Sequence, residues 1–396
     1  MSNSKKAPLW TPQFILIIAV QVFNALCFSM LMPVMTPFIS SKVESLTLAG
    51  TITGLFSYAS MCTRPLSGLL SDRFNRKQMV LISNFGVAAC IVGYAFAPST
   101  MFLIIFRVLH GFFFALSGTA SMTLATEFIP RERIGEGVAF FGYGNMIAGV
   151  ISPYLSFGVS DAFGYDKMLL IAAAFQAAAG LLTLTVKSNS RITNANKKIS
   201  LKNLIAPECI FLALLSGFFS FSNSMISSYT RMMAGDRGIE NVALFFSVAS
   251  AVIVIARPWW GIVLDKKGLK WVVYPCYILA ACSMFALGGA YSLPILILAS
   301  VLKTFGQGGG APTIQAACIK RLEPERAGVA TSTFMIGADL AQAIAPTIGG
   351  AIVTAYNYTT MFYSTGILLL GALVLFVIYA RITKLGEPVA EAEKSV

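Results

Sequence analysis

Long apolar runs recur along the whole chain, about twelve in number, each near the 20 residues that a helix needs to cross a bilayer. Inside the hydrocarbon core, only helices or closed barrels satisfy every backbone hydrogen-bonding group. The composition agrees, because 56% of the 396 residues are hydrophobic, only 12% are charged, and the mean hydropathy is +0.75. The sequence predicts an all-α polytopic membrane protein with spans at roughly 14–38, 46–70, 78–98, 101–125, 136–160, 167–187, 208–230, 241–264, 270–290, 293–318, 328–354 and 359–381.

The positive charge is concentrated at the two ends of the chain and in every second loop. A net charge of +12 would suggest a nucleic-acid partner for a soluble protein. In a membrane protein, however, this alternation marks the cytoplasmic segments. The two termini and the basic segment 188–206 are therefore predicted to be cytoplasmic, in a multi-pass protein of the inner (cytoplasmic) membrane, and no nucleic-acid partner is expected. Contact of 188–206 with anionic lipid is an additional possibility.

Two copies of one unit make up the chain. Arg64-Pro65 returns as Arg257-Pro258, 193 residues later, with Gly68 and Asp72 followed at the same spacing by Gly261 and Asp265. The repetition predicts two pseudo-symmetric six-helix bundles, at 1–187 and 207–396, joined by a cytoplasmic basic connector at 188–206. Transporters built from repeats carry their substrate site near the membrane midplane, at the repeat interface.

The duplicated segments also carry a family pattern. Gly68-x-x-x-Asp72-Arg73-x-x-Arg76-Lys77, with its weaker echo from Gly261, resembles the signature of the major facilitator superfamily. The stretches 129–137 and 332–340 are similar to the bacterial efflux branch, the twelve-span drug and metabolite antiporters driven by protons. The resemblance covers essentially the whole chain and implies the major facilitator fold and transport by alternating access.

The signature motif predicts a cytoplasmic gate. Gly68 and Gly261 are expected to let backbones approach closely at a tight turn, and Asp72 to pair with Arg73 in one state of the gate. In the superfamily, the motif aspartate is linked to an acidic residue at the end of span four, a place that Glu127 occupies. The alternative is that the basic residues only set topology. The predicted gating residues are Gly68, Asp72, Arg73, Arg76, Glu127, Gly261 and Asp265.

A second pattern lies in span eleven and resembles the antiporter motif, which the superfamily usually carries in span five. Small residues and a proline are expected to let this span bend and pack closely. The alternative is close packing without any role in the direction of transport. The residues concerned are Ala341, Ala345, Pro346, Gly349 and Gly350, with Pro153 in the degraded copy of span five.

Ionisable side chains deep in the spans are costly to bury and therefore mark functional sites. Asp339 lies about 11 residues into span eleven, hence about 16 Å deep at 1.5 Å per residue. Arg107 and His110 share one face of span four, and Lys303 and Gln307 share one face of span ten. The superfamily lines its cavity with spans one, four, seven and ten, which adds three polar residues. The predicted substrate-binding residues are Asn24, Arg107, His110, Asn223, Ser227, Lys303 and Gln307, and the predicted proton carriers are Asp339 and then His110.

Structural alternatives remain open for these deep residues. Arg107 is shallow enough for its charged head to snorkel to the outer surface. His110 is open to a second interpretation, as a neutral, hydrogen-bonded packing residue. Lys303 and Asp339 can be interpreted as a buried ion pair that never meets cargo.

The sequence thus predicts a monomeric secondary transporter, without enzymatic activity, whose partners are a small-molecule cargo and the lipid bilayer. Proton-coupled efflux is the favoured function, with the transmembrane proton gradient as energy source. Seven cysteines without CxxC spacing predict no metal site, and no cofactor is expected. The excess of cationic groups leaves uptake or exchange of a small organic anion as the alternative. A non-transporting membrane sensor is a remote alternative.

Overall fold

The structure is a computed structural model that describes residues 8–130, 133–187, 206–320 and 327–382. Within these ranges the chain forms thirteen α-helices and no β-strand. The helices are α1 (Pro12–Leu31), α2 (Met35–Ser40), α3 (Leu46–Arg73), α4 (Arg76–Ala95), α5 (Thr100–Thr126), α6 (Ile134–Phe163), α7 (Tyr165–Thr185), α8 (Pro207–Asp236), α9 (Ala243–Lys267), α10 (Lys270–Gly288), α11 (Leu293–Lys320), α12 (Ala327–Ala355) and α13 (Tyr358–Ile382).

All of these helices except α2 are long enough to cross a membrane. The shortest of them, α10, has 19 residues, which at 1.5 Å per residue spans about 28 Å, close to the thickness of the hydrocarbon core. In the described residues, ten helices also meet a strict criterion of apolar composition. The other two long helices, α3 and α11, have 28 residues each. The predicted all-α polytopic fold is confirmed.

The predicted first span, 14–38, is wrong at its C-terminal end. The helix α1 ends at Leu31, a turn follows, and the six-residue helix α2 begins at Met35. Pro33 lies in this turn, and proline cannot donate the backbone hydrogen bond that would continue the helix. One long apolar run therefore folds as two helices.

Contacts between Cα atoms divide the chain into two compact units. Unit 1 contains Met1–Val34 and Leu55–Ile199, and unit 2 contains Met35–Gly54 and Ser200–Val396. The helix α3 is consequently shared, because its first nine residues belong to unit 2 and the rest to unit 1. Each unit has its own apolar core, with Phe14, Val80 and Leu124 among the fully buried residues of unit 1 and Phe219 and Met284 in unit 2.

Equivalent helix crossings in the two units preserve the repeat. In unit 1, α5 approaches α3 so closely at Gly111 that a Cβ atom there would overlap the carbonyl oxygen of Phe56. The residues 193 positions later are Thr304 and Ala249, on α11 and α9 of unit 2. There the Thr304 hydroxyl donates a hydrogen bond to the Ala249 carbonyl at 3.4 Å. The helices thus cross closely in both units. In unit 1 the lack of a side chain at Gly111 permits the crossing, and in unit 2 the hydrogen bond between Thr304 and Ala249 links the two helices.

A close crossing within unit 2 joins the first part of α3 to α12. A Cβ atom at Gly50 would overlap the carbonyl oxygen of Pro346, and one at Gly54 would overlap that of Ala343. The two glycines are four residues apart and form a GxxxG pair, the pattern that lets membrane helices pack backbone against backbone. Gly350 continues the contact, since a Cβ atom there would lie 2.6 Å from the carbonyl oxygen of Leu46.

The loop after α8 is tied to two other helices of unit 2 by Arg237. Its guanidinium lies 4.5 Å from the ring centre of Tyr291. Its nitrogens donate to three backbone carbonyls near the end of α10 and to one hydroxyl at the start of α13. These acceptors are Leu287 O (3.2 Å), Gly288 O (3.0 Å), Ala290 O (2.5 Å) and Thr359 Oγ1 (2.8 Å). One cation therefore satisfies carbonyls that the end of a helix leaves without partners.

Replacing Arg237 by lysine should destabilise the protein, although the charge is retained, because an ammonium cannot reproduce the planar fork of the guanidinium. Hydrogen bonds to charged groups contribute about 1.5–3 kcal/mol each, so a loss of at least one should lower the thermal midpoint in detergent by several degrees. The matched control is Lys42→Ala, which removes an exposed cation from another loop and should leave the midpoint within error. An Arg237→Lys protein as stable as the parent would mean that the contacts add no net stability.

Candidate functional site

The glycines of the predicted gate lie inside helices. Gly68 belongs to α3, which continues to Arg73, and Gly261 belongs to α9, which continues to Lys267. The prediction of a tight turn at these two positions is therefore wrong. After α9 the chain turns at Gly268, whose φ of 85° is a conformation that glycine adopts without strain.

The prediction that Gly261 permits a close backbone approach is also wrong. A Cβ atom there would meet nothing within 4 Å. The neighbouring residue Trp260 makes the contact instead, because its indole packs on Gly309 and donates to the carbonyl of Phe305 at 2.8 Å. The close approach thus occurs one residue earlier, on an adjacent face of α9, against α11.

The acidic residue Glu127 at the end of α5 pairs with Arg76 at the start of α4, at 2.9 Å. The structure describes neither the surroundings of Gly68 nor the side chains of Asp72 and Arg73, so the predicted links from Asp72 stay predictions. Glu127 is thus engaged with the second basic position of the motif. An ion pair between the ends of neighbouring helices can favour one arrangement of those helices over another. Asp265 and Arg76 keep their predicted gating role as a hypothesis.

The span-eleven pattern forms a packing surface on α12. Ala345 is fully buried, and the hydroxyl of Tyr229 on α8 donates to the carbonyl of Pro346. Gly349 faces the Tyr229 ring, where a Cβ atom would lie 2.5 Å from a ring carbon. In the degraded copy, Pro153 is buried within α6, and the preceding Ser152 donates to the carbonyl of Leu26 on α1 at 3.2 Å. Close packing is therefore present in both copies; the role in transport stays a prediction.

In unit 1, Arg107 and His110 lie together in an aromatic environment on α5. The guanidinium carbon of Arg107 is 4.8 Å from the ring centre of Phe56, and His110 meets the same ring edge-on at 4.9 Å. The Tyr94 hydroxyl on α4 lies 3.0 Å from Nδ1 of His110. These contacts hold the only histidine of the chain in one orientation, in a cluster that also carries a fixed positive charge.

The alternative that Arg107 snorkels to the outer surface is wrong. The residue is only 3% exposed, and its head lies over Phe56, against which a guanidinium gains cation–π attraction. His110 is 2% exposed. Both the substrate-binding prediction and the packing interpretation fit His110, whose hydrogen bond to Tyr94 is present in the described state.

Asn24 belongs to a buried amide network in unit 1. The Nε2 atom of Gln176 on α7 donates to Asn24 at 3.0 Å and to Asn84 on α4 at 3.1 Å. Ser117 on α5 donates to the same oxygen of Asn84 at 2.7 Å. The network joins four helices near the middle of their lengths, where a hydrogen bond between side chains is a natural link between spans. Nδ2 of Asn84 is buried and has no partner among the described residues.

In unit 2, Gln307 on α11 reaches across to α8. Its Nε2 atom donates to the hydroxyl of Ser222 at 2.6 Å. Its Oε1 atom is buried and, in the part of the chain that the structure describes, accepts no hydrogen bond. An acceptor without a donor in a low-dielectric setting is costly, so Gln307 offers a free oxygen one helical turn from Lys303.

Lys303 is partly buried in the span and forms no ion pair with any described residue. The alternative that Lys303 and Asp339 form a fixed ion pair is therefore wrong. Asp339 on α12 is 6% exposed and is the only buried acidic side chain among those described. Lys303 and Asp339 are thus independent candidates for binding and for proton coupling.

The two other predicted polar residues of unit 2 lie on α8. The hydroxyl of Ser227 donates to the carbonyl of Asn223 at 3.0 Å, within its own helix. Thr230, three residues after Ser227 on α8, is fully buried, and its hydroxyl has no hydrogen-bond partner among the described residues. One of these two hydroxyls is thus satisfied within α8 and the other is not, and contact of Asn223 and Ser227 with cargo stays a prediction.

The sequence reasoning missed Tyr94, Asn84, Gln176 and Ser222, which the structure joins to the predicted residues. A signal was available for the two amides, because Asn84 and Gln176 interrupt apolar runs near their centres. Tyr94 and Ser222 gave none, since an aromatic residue near a span end and a serine within a span are both ordinary.

Comparison with known families agrees with the fold and the repeat. The family model of the Major Facilitator Superfamily matches residues 17–290 and 211–395. The chain therefore belongs to the Major Facilitator Superfamily and is a multi-pass membrane transporter, as its family and fold are those of transporters and not of enzymes.

Relatives of the chain are named for drug efflux, for drug resistance or for transport. The chain is 22% identical over 352 residues to the multi-drug resistance efflux pump PmrA of Streptococcus pneumoniae, covering 84% of this chain and 88% of that protein. It is 26% identical over 373 residues to the multidrug resistance protein MdtG of Proteus mirabilis, covering 85% and 88%. It is 23% identical over 402 residues to the staphyloferrin B transporter of Staphylococcus aureus, covering 95% and 92%. The predicted resemblance to the efflux branch is confirmed.

Solved structures share the fold. The transporter PepTSo of the POT family superposes with a TM-score of 0.79 at 12% identity, covering 95% of this chain and 99% of that one. A bacterial homologue of the human lysosomal transporter Spinster, solved inward-facing and unoccupied, gives a TM-score of 0.73 at 14% identity, covering 95% and 96%. At these identities the likeness concerns architecture alone.

Proposed function

We propose that this transporter exports a small organic compound across the cytoplasmic membrane in exchange for inward-moving protons, by alternating access and as a monomer. The observation that carries the coupling is the burial of Asp339, at 6% exposure. A carboxylate that is transferred from water into a low-dielectric span favours its neutral form. Its proton can therefore be taken up in one facing state and released in the other.

The direction of transport is supported by the relatives. Two of the matched relatives are named as multidrug resistance or efflux proteins, and a third is named as the staphyloferrin B transporter.

The binding groups favour a cargo that carries an anionic group. Lys303 is a cation without an ion-pair partner in the described residues, and an unpaired charge in a span is stabilised by an oppositely charged ligand. One turn away, the free Oε1 of Gln307 suits a hydroxyl or ammonium donor. Together they favour a zwitterion, or an organic acid with donor groups. The same unpaired lysine supports the second candidate, uptake or exchange of a small organic anion.

The sign of an imposed pH gradient distinguishes the two candidates. Purified protein in liposomes should accumulate cargo when the lumen is acidic, because protons that leave through an antiporter drive cargo inward. A symporter should accumulate it only when the lumen is alkaline. The panel contains a permanently charged cationic dye, a zwitterion and organic acids, and protein-free liposomes correct for passive distribution.

Accumulation in acidic vesicles should collapse when a protonophore is added. Accumulation that occurs only when the lumen is alkaline would reject antiport in favour of symport. Uptake that is the same with an acidic and with an alkaline lumen would reject proton coupling. If no compound of the panel showed protein-dependent uptake, the proposed cargo class would be rejected.

A further inference from the structure

Unit 2 contains an apolar cavity between α8, α12 and α13, separate from the polar residues discussed above. Its volume is about 480 Å³, within the range of about 300–1,000 Å³ typical of small-molecule sites. All three helices meet the length and composition criterion for crossing a membrane, and the cavity lies along their middle parts. Residues that line it include Leu214, Phe218, Met225, Leu340, Ile348 and Leu368.

The lining offers no free hydrogen-bonding side chain. Its only polar side chains are Ser364 and Thr365, and both hydroxyls donate to the carbonyl of Met361 on their own helix, at 3.0 and 2.8 Å. A polar cargo would lose its hydration here and gain no partner. The chemistry of the cavity therefore suits hydrocarbon.

The cavity opens on the side of α12 that is turned away from α3. Successive helical residues are rotated by 100°, so Ala341, Ile344 and Ile348 share one face, while Ala343 and Pro346, which meet α3, lie on the opposite face. The rim is open, because Ile348 is 41% exposed and Leu368 on α13 is 38% exposed. In a membrane-spanning segment, an open apolar rim at this depth faces lipid chains.

The repeat accounts for the gap between α8 and α13 in unit 2. In unit 1, Asn24 and Gln176 form the hydrogen bond that joins α1 to α7. The residues 193 positions later are Gly217 and Leu369. Gly217 lines the cavity and has no side chain to reach α13, so the gap that an amide pair closes in unit 1 stays open in unit 2.

We infer that this cavity binds one hydrocarbon chain of a membrane phospholipid, which enters sideways from the bilayer. Because the acyl chain leaves one hydrocarbon environment for another, its binding depends on van der Waals packing against the lining and not on removal of apolar surface from water. In addition, α8 and α12 cross closely at the floor of the cavity, where a Cβ atom at Gly217 would lie 3.3 Å from the Gly337 carbonyl oxygen. A hydrocarbon chain in the cavity therefore lies close to the backbone of α12. The inference concerns lipid and does not depend on the cargo or on proton coupling.

The test uses the full-length protein in vesicles of phosphatidylglycerol that carry a photoactivatable diazirine in the middle of one acyl chain. Peptides that contain Phe218, Leu340 and Leu368 should be labelled in excess over the exposed face of α13 around Val374. Filling the cavity by Ser364→Trp should reduce this labelling about tenfold, the change expected when about 1.4 kcal/mol of binding is lost. The matched control Val374→Trp, which places the same side chain at a 57% exposed position of α13, should leave it unchanged.

A second filling variant, Gly217→Leu, gives the same expectation if Ser364→Trp does not fold. Unlabelled phosphatidylglycerol should compete for the labelled peptides, whereas 1-decanol should not at equal hydrocarbon concentration. Labelling that is uniform over all exposed helix faces, or that persists in both folded filling variants, would overturn the inference. Competition by decanol alone would also overturn it, since the occupant would then be a free apolar solute.

Discussion

Asp339→Asn should abolish proton-driven accumulation of cargo in liposomes while leaving cargo exchange down its own gradient. The amide has nearly the same shape as the carboxylic acid but cannot change its charge, so the cycle loses its protonation step. Exchange needs no net protonation and depends only on the two facing states being accessible. The measurement compares uptake driven by a pH gradient with counterflow of labelled cargo in the same preparation.

Asp236→Asn is the matched control, since it replaces an exposed acid at the end of α8 and should leave both modes of transport intact. Accumulation that persists in Asp339→Asn would reject its role as proton carrier. His110 would then be the next residue to test, because it is the second proton carrier that the sequence predicts.

Lys303→Ala is the contrasting variant within the same experiment. If Lys303 holds an anionic group of the cargo, its loss should weaken both accumulation and exchange. If it served only to neutralise Asp339, the double variant Lys303→Ala, Asp339→Ala should recover stability, because no charge would be left buried alone. Since Lys303 has no ion pair with a described residue, we expect no such recovery.

Gly54→Ala should destabilise unit 2 and reduce transport severely. The added methyl group would overlap the carbonyl oxygen of Ala343 on α12, and because that atom belongs to the backbone, whole helices must shift to make room. Overpacking of this kind typically costs about 1–3 kcal/mol. The thermal midpoint in detergent and the initial rate of cargo uptake are the two measurements.

The control for this substitution is Gly118→Ala, inside α5, where a Cβ atom would meet nothing within 4 Å. In a helix interior, alanine is favoured over glycine by about 1 kcal/mol, so the control should be as stable as the parent or more stable. A Gly54→Ala protein with unchanged stability and transport would show that the crossing of α3 with α12 is not required.

Much of the fold is predictable from the sequence because bilayer thickness sets the length of each apolar run. The break of α1 at Pro33 is a local effect that hydropathy averages conceal. The placement of Asp339, Lys303 and Gln307 along their spans is also predictable, since helical rise converts residue number into depth. Their partners are not, because the rotation of one helix about its axis relative to another depends on packing. Tyr94 beside His110 and Ser222 beside Gln307 are examples.

For the predicted gate, the signature motif gave a wrong prediction. Gly261 follows the signature spacing, yet α9 continues past it and Trp260 makes the interhelical contact. A spacing pattern cannot tell which of two neighbouring residues faces the next helix. In the same way, the network of Asn84 and Gln176 depends on four helices meeting at one depth, a property of their joint packing and not of any single segment.

The crossing that Gly111 makes in one unit and Thr304 makes in the other has an evolutionary consequence. After a duplication, each position exists twice and each copy is free to change under its own selection. The backbone crossing is present in both copies, although different residues form it. Elsewhere, the amide pair Asn24 and Gln176 of one copy corresponds to Gly217 and Leu369 in the other. The two copies therefore still share the course of their backbones, whereas the differences in what each copy does lie in their side chains.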